Sequence, residues 1–413
     1  MTVLFKSLRV IDPHGIQDAA DYFFNGSDIK PVMDSENKEA DLTIEAGDFL
    51  ASQGWIDLRC LAGEPGLESK ETLESLGESL KVSGFSQAVL LPNTQPVVQS
   101  KNEAEFIKNK TKDFFTTIHL QAAVTKDTLG EDLTEILDLH HNGVKLFGDG
   151  LVPLSNSDRL MKILQYLQKF NGLLFDQAYD PLLALFGQMH EGPVSTQLGM
   201  KGIPSLAEEV AIQKNIEILK YTGGRIHFQT ISTAKAVDYI RLAKKEGLRV
   251  TADVSLYQLL FLDEDLKAFD ANLKVNPPFR TSSERAALIE GLKDGTIDAI
   301  VSNHQPVDFD QKHMEFDLAA FGMAGLQTFL PGLVKLSEEL GWPLLIQKLT
   351  EGPSKVLSVS NAKSFTVFDP KEAWTYHLKS NRSLSSNSPW FGKTLTGKVK
   401  YVINQGKFEQ IDG

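Results

Sequence analysis

A strand-like apolar run followed by a helix-like segment recurs through the middle of this 413-residue chain, and that alternation limits its fold more than any other feature. Apolar runs stand at 84–91 (GFSQAVLL), 115–124 (FTTIHLQAAV), 144–147, 173–175, 225–229, 249–254 and 298–302, and a further one at 54–58 makes eight. Segments with helical spacing lie between them at 70–83, 133–140, 158–170, 205–221, 233–246 and 283–294. Strands joined by helical crossovers run parallel, because the helix carries the chain back to its starting end. Eight such units suit a closed (β/α)8 TIM barrel, and the chain has length to spare for a smaller second domain.

The ends have a different texture, with short alternating runs and turn residues: VLFKSLRVIDP and DLTIEAGDF near the start, SFTVFDP, WTYHL and GKVKYVINQGK near the end. A serine-rich stretch, SNRSLSSNS at 380–388, is the one biased segment. The formal net charge of −12 argues against nucleic acid or an anionic membrane as the main partner. No apolar run reaches the roughly 18 residues of a membrane-spanning helix, and the N-terminus lacks a secretory h-region, so a cytoplasmic protein is expected. The single cysteine, Cys60, rules out an intrachain disulfide. Strand alternation points it away from Arg59 and Leu61, which favours a buried, inert thiol over a reactive one.

Residues 54–66 read G-W-I-D-L-R-C-L-A-G-E-P-G. This resembles the first barrel strand of the cyclic amidohydrolases of the dihydroorotase type, G-F-I-D-x-H-x-H-L-R-x-P-G. Gly54, Ile56, Asp57, Glu64, Pro65 and Gly66 fit the frame. The positions of the family's two metal-binding histidines hold Arg59 and Leu61, and that of its substrate-gripping arginine holds Gly63. Arginine has no lone pair to give a metal and leucine no donor atom. The resemblance covers nearly the whole chain through L-P-N-T-Q-P (91–96), K-V-N-P-P-F-R (274–280), D-G-T-I-D-A-I (294–300) and F-G-M-A-G-L-Q-T (321–328). It implies an amidohydrolase-type TIM barrel over 51–356 and a small β-sandwich built from both chain ends, 1–50 and 357–413.

Sites of TIM barrels lie at the C-terminal strand ends, and the resemblance implies a role for each end. Asn93, in P-N-T-x-P, matches a substrate-binding asparagine; the alternative is a turn residue, since Asn-Thr-x-Pro is turn chemistry in itself. In F-G-D-G (147–150), Asp149 keeps one family aspartate and Gly148 replaces another. Lys145 stands two residues from the place of a carboxylated lysine found in related enzymes. Gln177 and Thr230 replace the histidines after the fifth and sixth strands. His227, three residues before Thr230, reads as structural. After the eighth strand D-H-A-P-H becomes N-H-Q-P-V, so Asn303 replaces the aspartate that binds metal and acts as base, and an amide accepts no proton near neutral pH. His304 remains, as a rim histidine. Asn276 matches a position close to substrate.

No catalytic residue is therefore expected, and no metal cofactor, although the family uses zinc. The ligand-pocket candidates are Asn93, Asp149, Asn276, His304 and Arg59. Arg59 is expected to replace the metal as counter-charge to Asp149, or else to reach solvent while Asp149 is hydrated. The resemblance implies three functional readings: a non-catalytic dihydroorotase homologue of pyrimidine biosynthesis, as some members serve as structural partners of aspartate transcarbamoylase; an active cyclic-amide hydrolase with an atypical site; or a small-molecule binding protein using the old pocket, with Arg59 holding an anion. A homo-oligomer is a further expectation.

Overall fold

A computed structural model describes residues 1–32 and 39–411; residues 33–38 and 412–413, parts of the two expected end segments, lie outside the described residues. Eight parallel strands form the barrel sheet: Trp55–Cys60, Phe85–Leu90, Thr117–Ala122, Leu146–Phe147, Leu173–Asp176, Ile226–Phe228, Val250–Ser255 and Ala299–Val301. All eight fall on the apolar runs of the sequence. Closure is made by backbone just past the strands: Cys60 and His304 form an isolated parallel bridge, and Leu61 N–H donates to the His304 carbonyl at 2.9 Å. Inside, Ile56, Leu58, Val89, Phe175 and Val301 pack together, with Val356 and Leu357 of the helix Glu351–Leu357 in the same cluster.

The helices follow local chemistry. Thr72 caps Leu73–Val82 and Asn156 caps Ser157–Gln168, each side chain accepting from a backbone N–H of the first turn. The helix Lys101–Thr111 was absent from the periodic pattern, because only Ala104, Ile107 and Thr111 are buried and its remaining face is polar. After the eighth barrel strand come a one-turn helix, Phe309–Lys312, and three longer ones, Phe329–Leu340, Trp342–Leu349 and Glu351–Leu357. Among the described residues no helix is long and apolar enough to cross a membrane.

Both chain ends build a separate, mostly antiparallel sheet. Its path runs from Lys407–Gln410 through Thr394–Asn404, Ser364–Thr375, Leu50–Gln53, Val3–Asp12 and Ala20–Phe24 to Ile29–Pro31. In Val3–Asp12 the buried residues are Val3 and Phe5, two apart, and then Leu8 and Ile11. The one-residue shift comes from a bulge at Ser7, whose φ is +55° and where three steps on this strand oppose two on its neighbour.

Candidate functional site

The strand ends at the barrel mouth converge on Arg59. A register shift between Asp57 and Cys60 sets three residues against two on the second strand, which breaks simple alternation. Cys60 faces the helices, buried, with its Sγ donating to the Val89 carbonyl at 3.3 Å, and burial pushes its thiol well up. Arg59 turns into the mouth and is fully buried. Its Nε donates to Asn303 Oδ1 at 2.9 Å, Nη1 to Gln229 Oε1 at 2.8 Å and Nη2 to Gln177 Oε1 at 2.6 Å. Gln177 Nε2 in turn donates to the Asn276 carbonyl at 3.3 Å. The guanidinium thus joins the ends of the first, fifth, sixth and eighth strands through three neutral amides.

The charge on Arg59 is balanced from below and beside. Burial pulls its pKa down to about 10, while Asp253, Asp57 and Tyr179 act the other way. Asp253 accepts from His227 Nε2 at 2.8 Å and from Thr230 N–H at 2.6 Å. His227 Nδ1 lies 2.8 Å from Thr251 Oγ1, so this histidine is part of the barrel interior. Asp57 accepts from Ser302 N–H at 3.0 Å and from the Ser302 hydroxyl, and burial raises its carboxyl to about 7. Thr230 and Asn303 both hold left-handed backbone, with φ of +50° and +45°; for the β-branched threonine this is a strained turn.

The expected pairing of Arg59 with Asp149 is not formed. Asp149 Oδ1 accepts from Val124 N–H at 2.9 Å and Thr125 N–H at 3.0 Å, and Oδ2 takes the Thr125 hydroxyl. The loop after the third strand satisfies this carboxylate locally, so it has no need of a distant cation. Burial still raises it to about 6. Arg59 is equally satisfied without it, and the alternative in which Arg59 reaches solvent also fails, since the side chain is enclosed.

The other sequence candidates are placed in three groups. Asn93 holds the Asp149–Leu151 turn, donating to the Asp149 carbonyl at 3.1 Å and accepting from Leu151 N–H at 2.9 Å. His304 Nδ1 accepts from Gly325 N–H at 3.2 Å, and its Nε2 lies 3.4 Å from Glu71 Oε2, both groups being buried. Glu71 also takes the Ser383 hydroxyl and Leu384 N–H, so the serine-rich segment docks over the mouth. Leu61 and Gly63 line a separate cavity of about 190 Å³ with Lys70, Asn93, Gln305 and Phe321. By contrast, the space beside Gln177, Gln229 and Thr230 is about 10 Å³, room for about one water. Gln229 and Glu71 were missed in the sequence. Gln229 immediately precedes the family histidine position, and only the turn at Thr230 brings it inward.

These residues do not fit a metal. Amide, hydroxyl, hydrocarbon and guanidinium replace the imidazoles and carboxylate that zinc prefers. Among the described residues no group of three or more His, Cys, Asp or Glu is arranged to hold one. Nor is there room to restore the family's side chains at two positions. A Cβ on Gly63 would lie 1.9 Å from the Leu67 carbonyl oxygen, and one on Gly148 would lie 2.1 Å from that of Phe175.

Comparison with solved structures matches this fold. The L-hydantoinase (dihydropyrimidinase) of Arthrobacter aurescens superposes with a TM-score of 0.86 over 99% of this chain and 97% of that one, at 21% identity. The D-hydantoinase (dihydropyrimidinase) of a Thermus species gives 0.80 over 100% and 97%, at 15% identity. Curated relatives named dihydroorotase are more similar in sequence: 34% identity to that of Syntrophus aciditrophicus, over 98% of this chain and 99% of the relative, and 35% to that of Acetivibrio thermocellus, over 98% of each. Residues 49–236 match the sequence profile of the family described as dihydro-orotase-like. End-to-end identity of this order, on the same barrel and end sheet, means that the chain belongs to the dihydroorotase-like family of amidohydrolases.

Proposed function

We propose that this protein is a non-catalytic member of its family, acting in pyrimidine biosynthesis through its surface rather than through hydrolysis. One observation carries the reading: the buried Arg59 guanidinium is held by Asn303, Gln229 and Gln177, so a satisfied cation stands at the mouth where the family resemblance implies metal ligands. Metal in such hydrolases supplies the nucleophilic hydroxide and polarises the carbonyl. The side chains present offer neither this binding set nor a base, since the base position is Asn303. The intact framework with altered strand ends supports the further reading of a structural partner of aspartate transcarbamoylase. Protein purified without chelator is expected to hold no stoichiometric zinc at the barrel rim, to leave dihydroorotate and carbamoyl aspartate unchanged, and to co-purify with the transcarbamoylase of its own cells. About one equivalent of rim-bound zinc, or turnover well above the uncatalysed rate, overturns the non-catalytic reading; a transcarbamoylase that elutes separately overturns the partner role.

A second reading rests on the cavity beside Leu61. Its volume of about 190 Å³ and its Lys70 and Gln305 side chains suit a small anionic molecule. Thermal-shift screening against pathway carboxylates tests it: no shift with any of them removes this reading.

A further inference from the structure

Residues 371–400 invert the charge of the chain. Against a net −12 overall they hold Lys371, Lys379, Arg382, Lys393, Lys398 and Lys400 with one carboxylate, Glu372. That carboxylate is shared: Oε1 lies 3.3 Å from Lys398 Nζ and Oε2 2.7 Å from Lys400 Nζ. Arg382 is exposed, and among the described residues its guanidinium has no hydrogen bond or ion pair. Its backbone, by contrast, is fixed. The Arg382 N–H donates to Gln327 Oε1 at 2.6 Å, and Gln327 Nε2 donates to the Ser380 carbonyl at 2.8 Å. Ser380 Oγ donates to the Thr375 carbonyl at 3.0 Å, and Ser380 N–H donates to His377 Nδ1 at 3.2 Å. A neutral His377 therefore carries its proton on Nε2, as a further donor. An anchored loop that offers unpaired donors gives up little freedom when it meets an anion.

These cations border a cleft of about 220 Å³ between the barrel and the end sheet. Val82 of the helix Leu73–Val82, Leu330 and Pro331 of Phe329–Leu340, and Trp374 and Val399 of the two paired end-sheet strands supply apolar walls, and Arg382, Lys398 and His377 supply the polar lining. Gly397 brings strand and helix together. Its φ is +103°, and a Cβ there would lie 2.8 Å from Val334 Cγ2 of the same helix. Its carbonyl accepts from Trp374 Nε1 at 2.8 Å, which fixes the indole at the cleft. The volume is below the roughly 300–1,000 Å³ of pockets for drug-sized ligands, so the occupant is one ring with a small substituent. We propose that this cleft binds a monocyclic aromatic anion, its ring between the apolar walls beside Trp374 and its phosphate or carboxylate on Arg382 and Lys398. The cleft shares no lining residue with the cavity beside Leu61, and the proposal does not depend on whether the barrel mouth is catalytic.

Titration calorimetry of the full chain tests it, with phenyl phosphate and benzoate as the phosphate and carboxylate arms and with phenol and inorganic phosphate as the separate halves. At least one aromatic anion is expected to bind with a Kd below about 1 mM, the tighter of the two naming the anionic group. Phenol and inorganic phosphate are each expected to bind at least about tenfold more weakly than that anion. Arg382→Ala and Lys398→Met are each expected to weaken binding about tenfold, the effect of losing one hydrogen bond to a charged group. Lys70→Ala, in the cavity beside Leu61, is expected to leave it unchanged. The Trp374 indole N–H resonance, assigned from its absence in Trp374→Phe, is expected to shift on binding. Neither anion bound by about 5 mM, inorganic phosphate or phenol as tight as the aromatic anion, unchanged affinity in both cation variants, a still Trp374 resonance, or binding lost in Lys70→Ala overturns the proposal.

Discussion

The side-chain oxygen of Asn303 accepts a hydrogen bond from Arg59 Nε at 2.9 Å, joining residues 244 positions apart at the point where the barrel closes. One partner stands at a family ligand position, the other at the family's base position. Each substitution makes sense of the other: the guanidinium needs an acceptor, and the amide oxygen supplies one without adding a third buried carboxylate to Asp57 and Asp253. Gln177 and Gln229 complete the same arrangement from the opposite side of the mouth.

Removing the cation should therefore be costly. Arg59→Leu leaves three buried amide oxygens without donors, each worth about 1–3 kcal/mol, and strips a positive charge from beside Asp253 and Asp57. A loss of about 3–5 kcal/mol is expected in urea unfolding. Arg59→Lys should recover little, because one ammonium cannot reproduce the planar fork. A loss below about 1 kcal/mol for the leucine variant would show that the network contributes little.

Asn303→Asp returns a carboxylate to the base position. It should pair with Arg59 and not with a metal, since Leu61, Gln177 and Thr230 offer no replacement ligands. Zinc content and turnover of carbamoyl aspartate are both expected to stay at the wild-type level, as catalytic groups that act as a unit are not restored singly. Stoichiometric zinc in this variant is the contrary result.

Backbone packing predicts a second kind of sensitivity. Gly63→Ala and Gly148→Ala each drive a Cβ to within about 2 Å of a carbonyl oxygen, at Leu67 and Phe175. Relieving this requires a shift of a strand-end loop, at a cost of about 1–3 kcal/mol for an overpacked site. Thermal melting of the two variants measures it, and unchanged midpoints would contradict the geometry.

The buried Asp57 predicts an unusual pH dependence. Its pKa is raised by burial from 3.8 to about 7, so the folded protein binds this proton more tightly than the unfolded chain does. Its contribution to stability is full below about 3.8 and is lost as pH rises to about 7. Asp149 and Asp176, each raised to about 6 by burial, act in the same direction. Asp57→Asn cannot titrate, so wild type should lose more stability than this variant between pH 5 and pH 8. Urea unfolding of both at the two pH values gives the difference, and equal losses refute the assignment.

Much of the fold was legible in the chain because strands buried on both faces read as plain apolar runs, and most barrel strands were of that kind; Thr117–Ala122, half-buried over its first three residues, was the main departure. The helix Lys101–Thr111 was not, since its buried side is only three residues wide. The strand-end substitutions could be aligned residue by residue, but the partner of Arg59 could not. Alternation assigns Arg59 a face only if the strand is regular, and the register shift between Asp57 and Cys60 removes that assumption. Asp149 looked like the natural counter-charge on chemistry alone; the Val124–Thr125 backbone that satisfies it is visible only in three dimensions. Gln229 carries no motif and enters the site through a backbone turn.

The end sheet has a consequence for synthesis. Val3–Asp12 pairs with Leu50–Ala51, and Leu50–Gln53 pairs next with Phe365–Phe368. As a ribosome extrudes the chain from its N-terminus, the first strands emerge with one edge open, and that edge has to wait while the barrel strands are made. A nascent chain stalled before residue 364 thus exposes an unpaired strand edge, the surface on which misassembly begins.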